Sequence, residues 1–140
     1  MKIVRWLAIV LGACVVLALA LDGMIALFQP SAGTTGVLRT FDEQGEPHER
    51  VLSLLDDGGT LWVESGHHFR GWYHRLRRNP NVELIRDGRT QAYRAVPVDT
   101  PEAEQRVKEL MKESNGSAGY YFSRAMLLFA KIKPVRLDPR

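Results

Sequence analysis

The sequence predicts an α+β fold: a small antiparallel β-barrel with inserted helices, carried behind one N-terminal transmembrane helix. Three observations predict it. Short apolar runs are joined by hairpin turns, of which Asp56-Asp57-Gly58-Gly59 and Asp87-Gly88 are the clearest. Two segments of helical periodicity, each punctuated by proline or glycine, interrupt those runs. A nearly unbroken apolar stretch at residues 3–28 precedes everything else.

That stretch carries Lys2 and Arg5 at its head and Asp22 as its interior charge. About 20 apolar residues cross a bilayer as a helix, so its length suffices. A cleaved signal peptide would use Ala18 and Ala20, yet the chain stays apolar through Met24 and Phe28. Leu11-Gly12-Ala13-Cys14 resembles a lipoprotein processing box, but Val15-Val16-Leu17 follow where a polar linker belongs. Cys14 therefore reads as a small apolar residue of the helix. As the single cysteine it permits no internal disulfide. The two N-terminal cations outweigh Arg39 beyond the helix, which places the N-terminus in the cytoplasm and the domain outside it. The organisation expected is a transmembrane helix at 1–28, a Gly/Ser/Thr-containing linker at 29–36 and one barrel domain at 37–140.

Net charge is +3 with a pI near 9.2, in keeping with anionic lipid or an anionic ligand nearby. The heavy cationic stripe of a nucleic-acid binder is missing, so no nucleic-acid partner is expected.

In chain order, residues 37–41 and 48–55 read as strands around the turn at Asp42–Pro47, and 60–64 as a third strand after the Asp-Asp-Gly-Gly hairpin. A short helix around 71–78 is stopped by Asn79-Pro80, since the residue before proline avoids helical geometry. Residues 82–86 and 89–98 form a hairpin about Asp87-Gly88. Thr100-Pro101 supplies an N-cap and a first-turn proline for a helix whose apolar face is Ala103, Val107, Leu110 and Met111, ending at Asn115-Gly116. Residues 120–129 are aromatic and helical or irregular. The last of six strands, 130–137, contains Pro134, which suggests an edge or a bulge.

The chemistry concentrates in residues 65–82, where Trp72, Tyr73 and a group of cations sit on a helix that opens after a strand and points its unpaired N–H groups at that strand end, a setting for an anion. Read for structure alone, Trp72 and Leu76 are core anchors at i, i+4 and the arginines a solvated face. His67, His68 and His74 with Glu64 could ligate a transition metal or haem, but no spacing among them is a recognised ligand pair, and no metal is expected. Asn115-Gly116-Ser117 fits a glycosylation sequon and equally a helix C-cap. No Ser-His-Asp set, phosphate-binding glycine loop or paired-carboxylate site stands out.

Gly45-x-Pro47, Asp57-Gly58-Gly59, Leu61-Trp62-Val63-Glu64-Ser65, Trp72-Tyr73-x-x-Leu76-x-x-Asn79-Pro80-x-Val82 and Gly88-Arg89 follow one another in that order. The series resembles the deazaflavin (F-420)-dependent nitroreductase and quinone reductase family, over nearly all of residues 37–139. The resemblance implies a split β-barrel related to the flavin-binding split barrels, often dimeric. It implies a reduced deazaflavin cofactor, with FMN as the alternative, and hydride transfer to quinones or nitro compounds. Residue by residue, Ser65, His67, His68, Arg70 and Trp72 would line the cofactor groove, and Tyr120 and Tyr121 the acceptor side as catalytic residues. The cofactor carries the redox chemistry while the protein positions ring and acceptor.

Family members usually carry two cations before the Gly-x-Pro, in a loop that grips the cofactor's phosphate and acidic tail. Here that loop reads Thr40-Phe41-Asp42-Glu43-Gln44-Gly45, so two carboxylates should repel the anion by about a kcal/mol or more. His67, His68 and Arg70 would restore positive charge from across the groove. The function expected is thus a membrane-anchored reductase with quinone as the natural acceptor. A non-catalytic split barrel binding a hydrophobic ligand or an envelope partner is the alternative that Asp42 and Glu43 favour.

Overall fold

Two adjacent leucines decide the architecture. Leu54 and Leu55 are both buried, but in separate cores, one inside the barrel and one outside it. Neighbouring side chains on a strand point to opposite faces, so the doublet lets one segment serve two layers. It also bends the chain where the sequence predicts an unbroken strand. The computed structural model describes residues 2–27, 35–66, 71–126 and 130–140. Its elements are α1 (Lys2–Leu27), β1 (Thr35–Phe41), β2 (Pro47–Ser53), β3 (Leu55–Asp57), β4 (Thr60–Ser65), α2 (Gly71–Arg78), β5 (Asn81–Arg86), β6 (Arg89–Pro97), α3 (Pro101–Met126) and β7 (Lys133–Pro139).

The strands form one antiparallel sheet in the order β2-β1-β5-β6-β7-β4-β3. Its two end strands, β2 and β3, are consecutive in the chain with Leu54 alone between them. The sheet must therefore curl until its edges are joined through that bend, which gives a half-barrel. Seven strands stand where six are expected, the extra one arising from the division at Leu54.

Leu38, Val63, Trp72, Leu76, Val82 and Val135 belong to the inner core, and α2 plugs one end of the barrel with Trp72, Tyr73 and Leu76. The outer core sets α3 against the other face of the sheet through Ala103, Val107, Leu110 and Met111, which meet Leu55, Trp62 and Ile132. The four helical positions are those the sequence periodicity picks out.

Gly36 marks the tightest point of the curl. A Cβ there would lie 2.9 Å from Leu84 Cδ1, 3.0 Å from Leu54 Cδ1 and 3.4 Å from the Ile85 carbonyl oxygen. Both leucines are held in the inner core and have little room to yield. Gly36→Val is expected to destabilise the domain by about 1–3 kcal/mol through overpacking, measured as a lower urea midpoint at unchanged m-value.

One further expectation is met and another is corrected. Asn115-Gly116 ends the first helical segment, as the sequence predicts. Gly116 adopts φ 70° and ψ 162°, and a second helical segment resumes within α3. Lys112 Nζ bridges the kink, lying 5.1 Å from the Tyr120 ring centroid and 5.8 Å from that of Tyr121. Pro134 is not on an edge, since β7 lies between β6 and β4. Its carbonyl accepts from Val98 N at 3.0 Å, beyond the last β6 rung at Pro97, and its missing N–H falls on that same outer side. The β4 ladder loses nothing.

The apolar N-terminal run forms the continuous helix α1. Among the described residues no helix is long and apolar enough to cross a membrane. The transmembrane helix expected from the sequence thus finds no support among the described residues.

Candidate functional site

The turn between β1 and β2 and the C-terminal half of α2 enclose a cavity of about 390 Å3, lined by Phe41, Asp42, Glu43, Arg75, Arg78 and Asn79 among others. This is the loop in which the sequence places two carboxylates where the family resemblance leads one to expect cations.

Neither carboxylate is left to repel an anion. Asp42 Oδ1 accepts from Gln44 N at 3.0 Å and Glu46 N at 2.9 Å, while its Oδ2 lies 2.9 Å from His48 Nε2. Asp42 is thus the residue that closes the turn, an Asx-type role for which aspartate is well suited. Glu43 Oε1 meets Arg78 Nη1 at 3.0 Å in a pair that is 67% and 71% exposed. An ion pair so exposed is worth little and exchanges readily. The expected repulsion is reduced by these partners, His48 of β2 for Asp42 and Arg78 of α2 for Glu43.

The hydrogen bond from His48, followed by those from the backbone N–H groups of Glu46 and Gln44, holds the Asp42 carboxyl below its ordinary value. A lowered folded-state value means that the turn's contribution is present above the ordinary carboxylate range and is lost as pH falls through the lowered value. Wild-type protein is expected to lose stability over that acid window faster than Asp42→Asn, as followed by urea unfolding at successive pH values.

Arg75 is the cation the site positions best. Its Nε donates to Thr40 Oγ1 at 3.0 Å, and Thr40, fully buried, donates in turn to the His48 carbonyl oxygen at 3.3 Å. On its other side, Gly71 makes room: a Cβ there would stand 3.1 Å from Arg75 Nη1. Arg75 makes no ion pair among the described residues, so its Nη donors remain for a ligand in the cavity it lines. A planar guanidinium fixed through Nε suits a phosphate or carboxylate.

The sequence-expected residues divide into three groups. Ser65 and Trp72 are buried at the barrel end that α2 closes, with Trp72 3% exposed and its Nε1 without a hydrogen-bond partner among the described residues. His67, His68 and Arg70 lie outside the described residues. Tyr120 packs in the outer core, and Tyr121, 58% exposed, stacks edge-on against it with ring centroids 5.2 Å apart. Neither tyrosine lines the cavity beside α2. Tyr73 is buried in the inner core, and that burial, with Asp99 nearby, raises its pKa. Among the described residues no group of three or more His, Cys, Asp or Glu could hold a metal.

The Thr40–Arg75 bond takes Arg75 out of the solvated arginine face that helical spacing alone predicts for α2. The available signal was Gly71 one helical turn before Arg75, a spacing that leaves the guanidinium room to fold back along the helix.

The model of the family described as F-420H(2)-dependent quinone reductase matches residues 33–133. No curated protein matches the chain. A conserved hypothetical protein of Mycobacterium tuberculosis is 26% identical over 85% of this chain and 80% of its own, with a TM-score of 0.62. A haem storage protein of Vibrio cholerae shares 19% identity over 85% of this chain and 89% of its own, at a TM-score of 0.61. A structure described as an F-420-H2-dependent reductase shares 14% identity over 79% of this chain and 98% of its own, at a TM-score of 0.59. The last two likenesses concern the fold alone.

Proposed function

Because the chain belongs to the F-420H(2)-dependent quinone reductase family, we propose that it is a deazaflavin-dependent reductase acting on an electron-poor acceptor of the quinone or nitroaromatic type. The observation that carries this reading is the cavity beside α2, with the Arg75 guanidinium fixed at its wall. A deazaflavin coenzyme with a phosphate and an acidic tail fits that donor set. Arg75 and Arg78 would hold the anionic end.

When bound, the coenzyme supplies a hydride, and the acceptor gains that hydride together with a proton. The chain's contribution is binding, orientation and exclusion of water. Trp72 and Ser65, buried and outside that cavity's lining, would support the ring's site from the core. His67, His68 and Arg70 would add positive charge. Tyr121 is the exposed tyrosine of the second α3 segment and would face the acceptor, with Tyr120 anchoring it.

We place the enzyme at a membrane through α1. Supporting this are the exposed side chains of Trp6, Ile9, Val10, Leu11, Val16 and Leu17, which cover more than one face of that helix. The Lys2/Arg5 bias puts the domain outside the cytoplasm, and a C-terminal reporter fusion reads the side directly.

The test is a titration of the full chain in detergent micelles with reduced deazaflavin and, separately, FMN, following tryptophan fluorescence. Saturable quenching by deazaflavin, with turnover of a quinone, is expected. No quenching by either would overturn the reductase reading and leave the non-catalytic binding module.

A further inference from the structure

The barrel has a second opening, at the end opposite α2. A cavity of about 450 Å3 lies there, lined by Leu61, Leu84, Tyr93 and Gln91, with Arg86, Arg89 and one carboxylate, Asp87, at its rim. Leu84 and Tyr93 belong to the inner core, and Leu61 packs against it, so the cavity floor is the apolar interior of the barrel.

The two arginines are not ordinary surface residues. By the two-residue alternation of a strand, Arg86 lies on the same face as Val82 and Leu84, and Arg89 on the same face as Tyr93 and Ala95. Both extend the inward face to the lip of the mouth. They also stand directly opposite each other, as the last rung of the β5–β6 hairpin. Like charges in that position are destabilising. Relief within the chain is slight: Asp87 Oδ2 is 3.5 Å from Arg86 Nε, and Arg89 makes no ion pair among the described residues. Tyr93 donates to Gln91 Oε1 at 3.1 Å, which settles the polar groups between the lip and the floor. A paired-cation lip over an apolar floor is complementary to an amphiphile with an anionic head.

The chain path says where that amphiphile comes from. β1 begins at Thr35, and a Cβ on Gly36 would touch Leu84, a wall of this mouth. α1 ends at Leu27, so Leu27 and Thr35 are eight residues apart and separated by no more than about 30 Å. A helix held in a bilayer would tether the barrel by the end of β1 that lies beside this mouth.

We propose that the mouth formed by Arg86, Arg89, Leu61, Leu84 and Tyr93 docks on the bilayer by binding the phosphate head of an anionic phospholipid. This rests on the membrane anchoring proposed above. It is separate from the coenzyme cavity, which uses other residues at the other end of the barrel.

The test compares the full chain in nanodiscs of phosphatidylcholine alone and with phosphatidylglycerol added, by hydrogen exchange over residues 84–91. Anionic lipid should slow exchange there, with a gain of about fivefold in lipid association per arginine near an anionic surface. R86Q/R89Q should abolish that protection while leaving coenzyme quenching of tryptophan fluorescence unchanged. Equal exchange in both discs overturns the proposal, as does protection that survives in the double variant. Inorganic phosphate added to neutral discs is the third arm, and protection by it alone would show a free-phosphate site instead of a lipid one. Flotation with neutral vesicles after an alkaline wash reads the anchor independently. Protein that floats without hairpin protection defeats the docking alone, whereas protein that fails to float defeats the anchoring on which it depends.

Discussion

Truncating Trp72 to alanine is expected to cost the domain about 3–5 kcal/mol of unfolding free energy. The side chain is almost wholly buried where α2 closes the barrel, among Tyr73, Leu76 and the inner-core residues of the strands. The plug cannot shift to fill the gap, because α2 is only eight residues long and is tied at its far end by Asn79-Pro80. Trp72→Phe should behave quite differently. It keeps most of the apolar volume and removes an indole N–H that has no partner among the described residues. An unpaired buried donor itself costs about 1–3 kcal/mol, so its removal offsets much of the lost packing. Urea unfolding should therefore place Trp72→Phe within about 1 kcal/mol of wild type and Trp72→Ala far below it. If the N–H instead serves the coenzyme, Trp72→Phe should weaken coenzyme binding while sparing stability. A mild effect of Trp72→Ala on unfolding would show that the α2 plug is not part of the core.

That residue also illustrates how far the sequence could be read. Turn chemistry announced the hairpins: Asp87 and Gly88 both adopt positive φ, as a two-residue turn with Asp-Gly requires. Apolar spacing announced the buried faces of α2 and α3, since those spacings are dictated by helical geometry alone. What escaped was set by tertiary contact. Leu54-Leu55 breaks the two-residue alternation, and that break is the sign of a chain passing from one core to another, although β-propensity alone runs on through it as one strand. Asn115-Gly116 carries a sound stop signal, and the positive φ at Gly116 obeys it. The helix resumes because Tyr120 finds the outer core, a contact that local propensity cannot announce. At the site, Asp42 and Glu43 were judged by their charge alone. Their partners, His48 and Arg78, lie six and 35 residues away, and it is the pairing that decides what charge a ligand meets.

Arg75 carries the second large effect. Arg75→Gln should weaken binding of reduced deazaflavin by about 10- to 100-fold, corresponding to loss of a charged hydrogen-bonding group worth about 1.5–3 kcal/mol. Arg78→Gln should weaken it by no more than about fivefold, because that arginine is exposed and already shared with Glu43. The contrast follows from anchoring rather than charge, since both variants remove one cation. Thr40→Val separates the two: it leaves Arg75 charged but deletes the acceptor that fixes Nε. It should lower affinity by an intermediate factor, and the conservative Thr40→Ser should restore it. Gly71→Ala should act in the same direction by crowding Arg75 Nη1. The measurement is the dissociation constant from fluorescence quenching, accompanied by urea unfolding so that loss of binding is not confused with loss of fold. Equal losses for Arg75→Gln and Arg78→Gln would mean that the cavity attracts its ligand by net charge alone. The chain Thr40–Arg75 would then have no part in positioning the coenzyme.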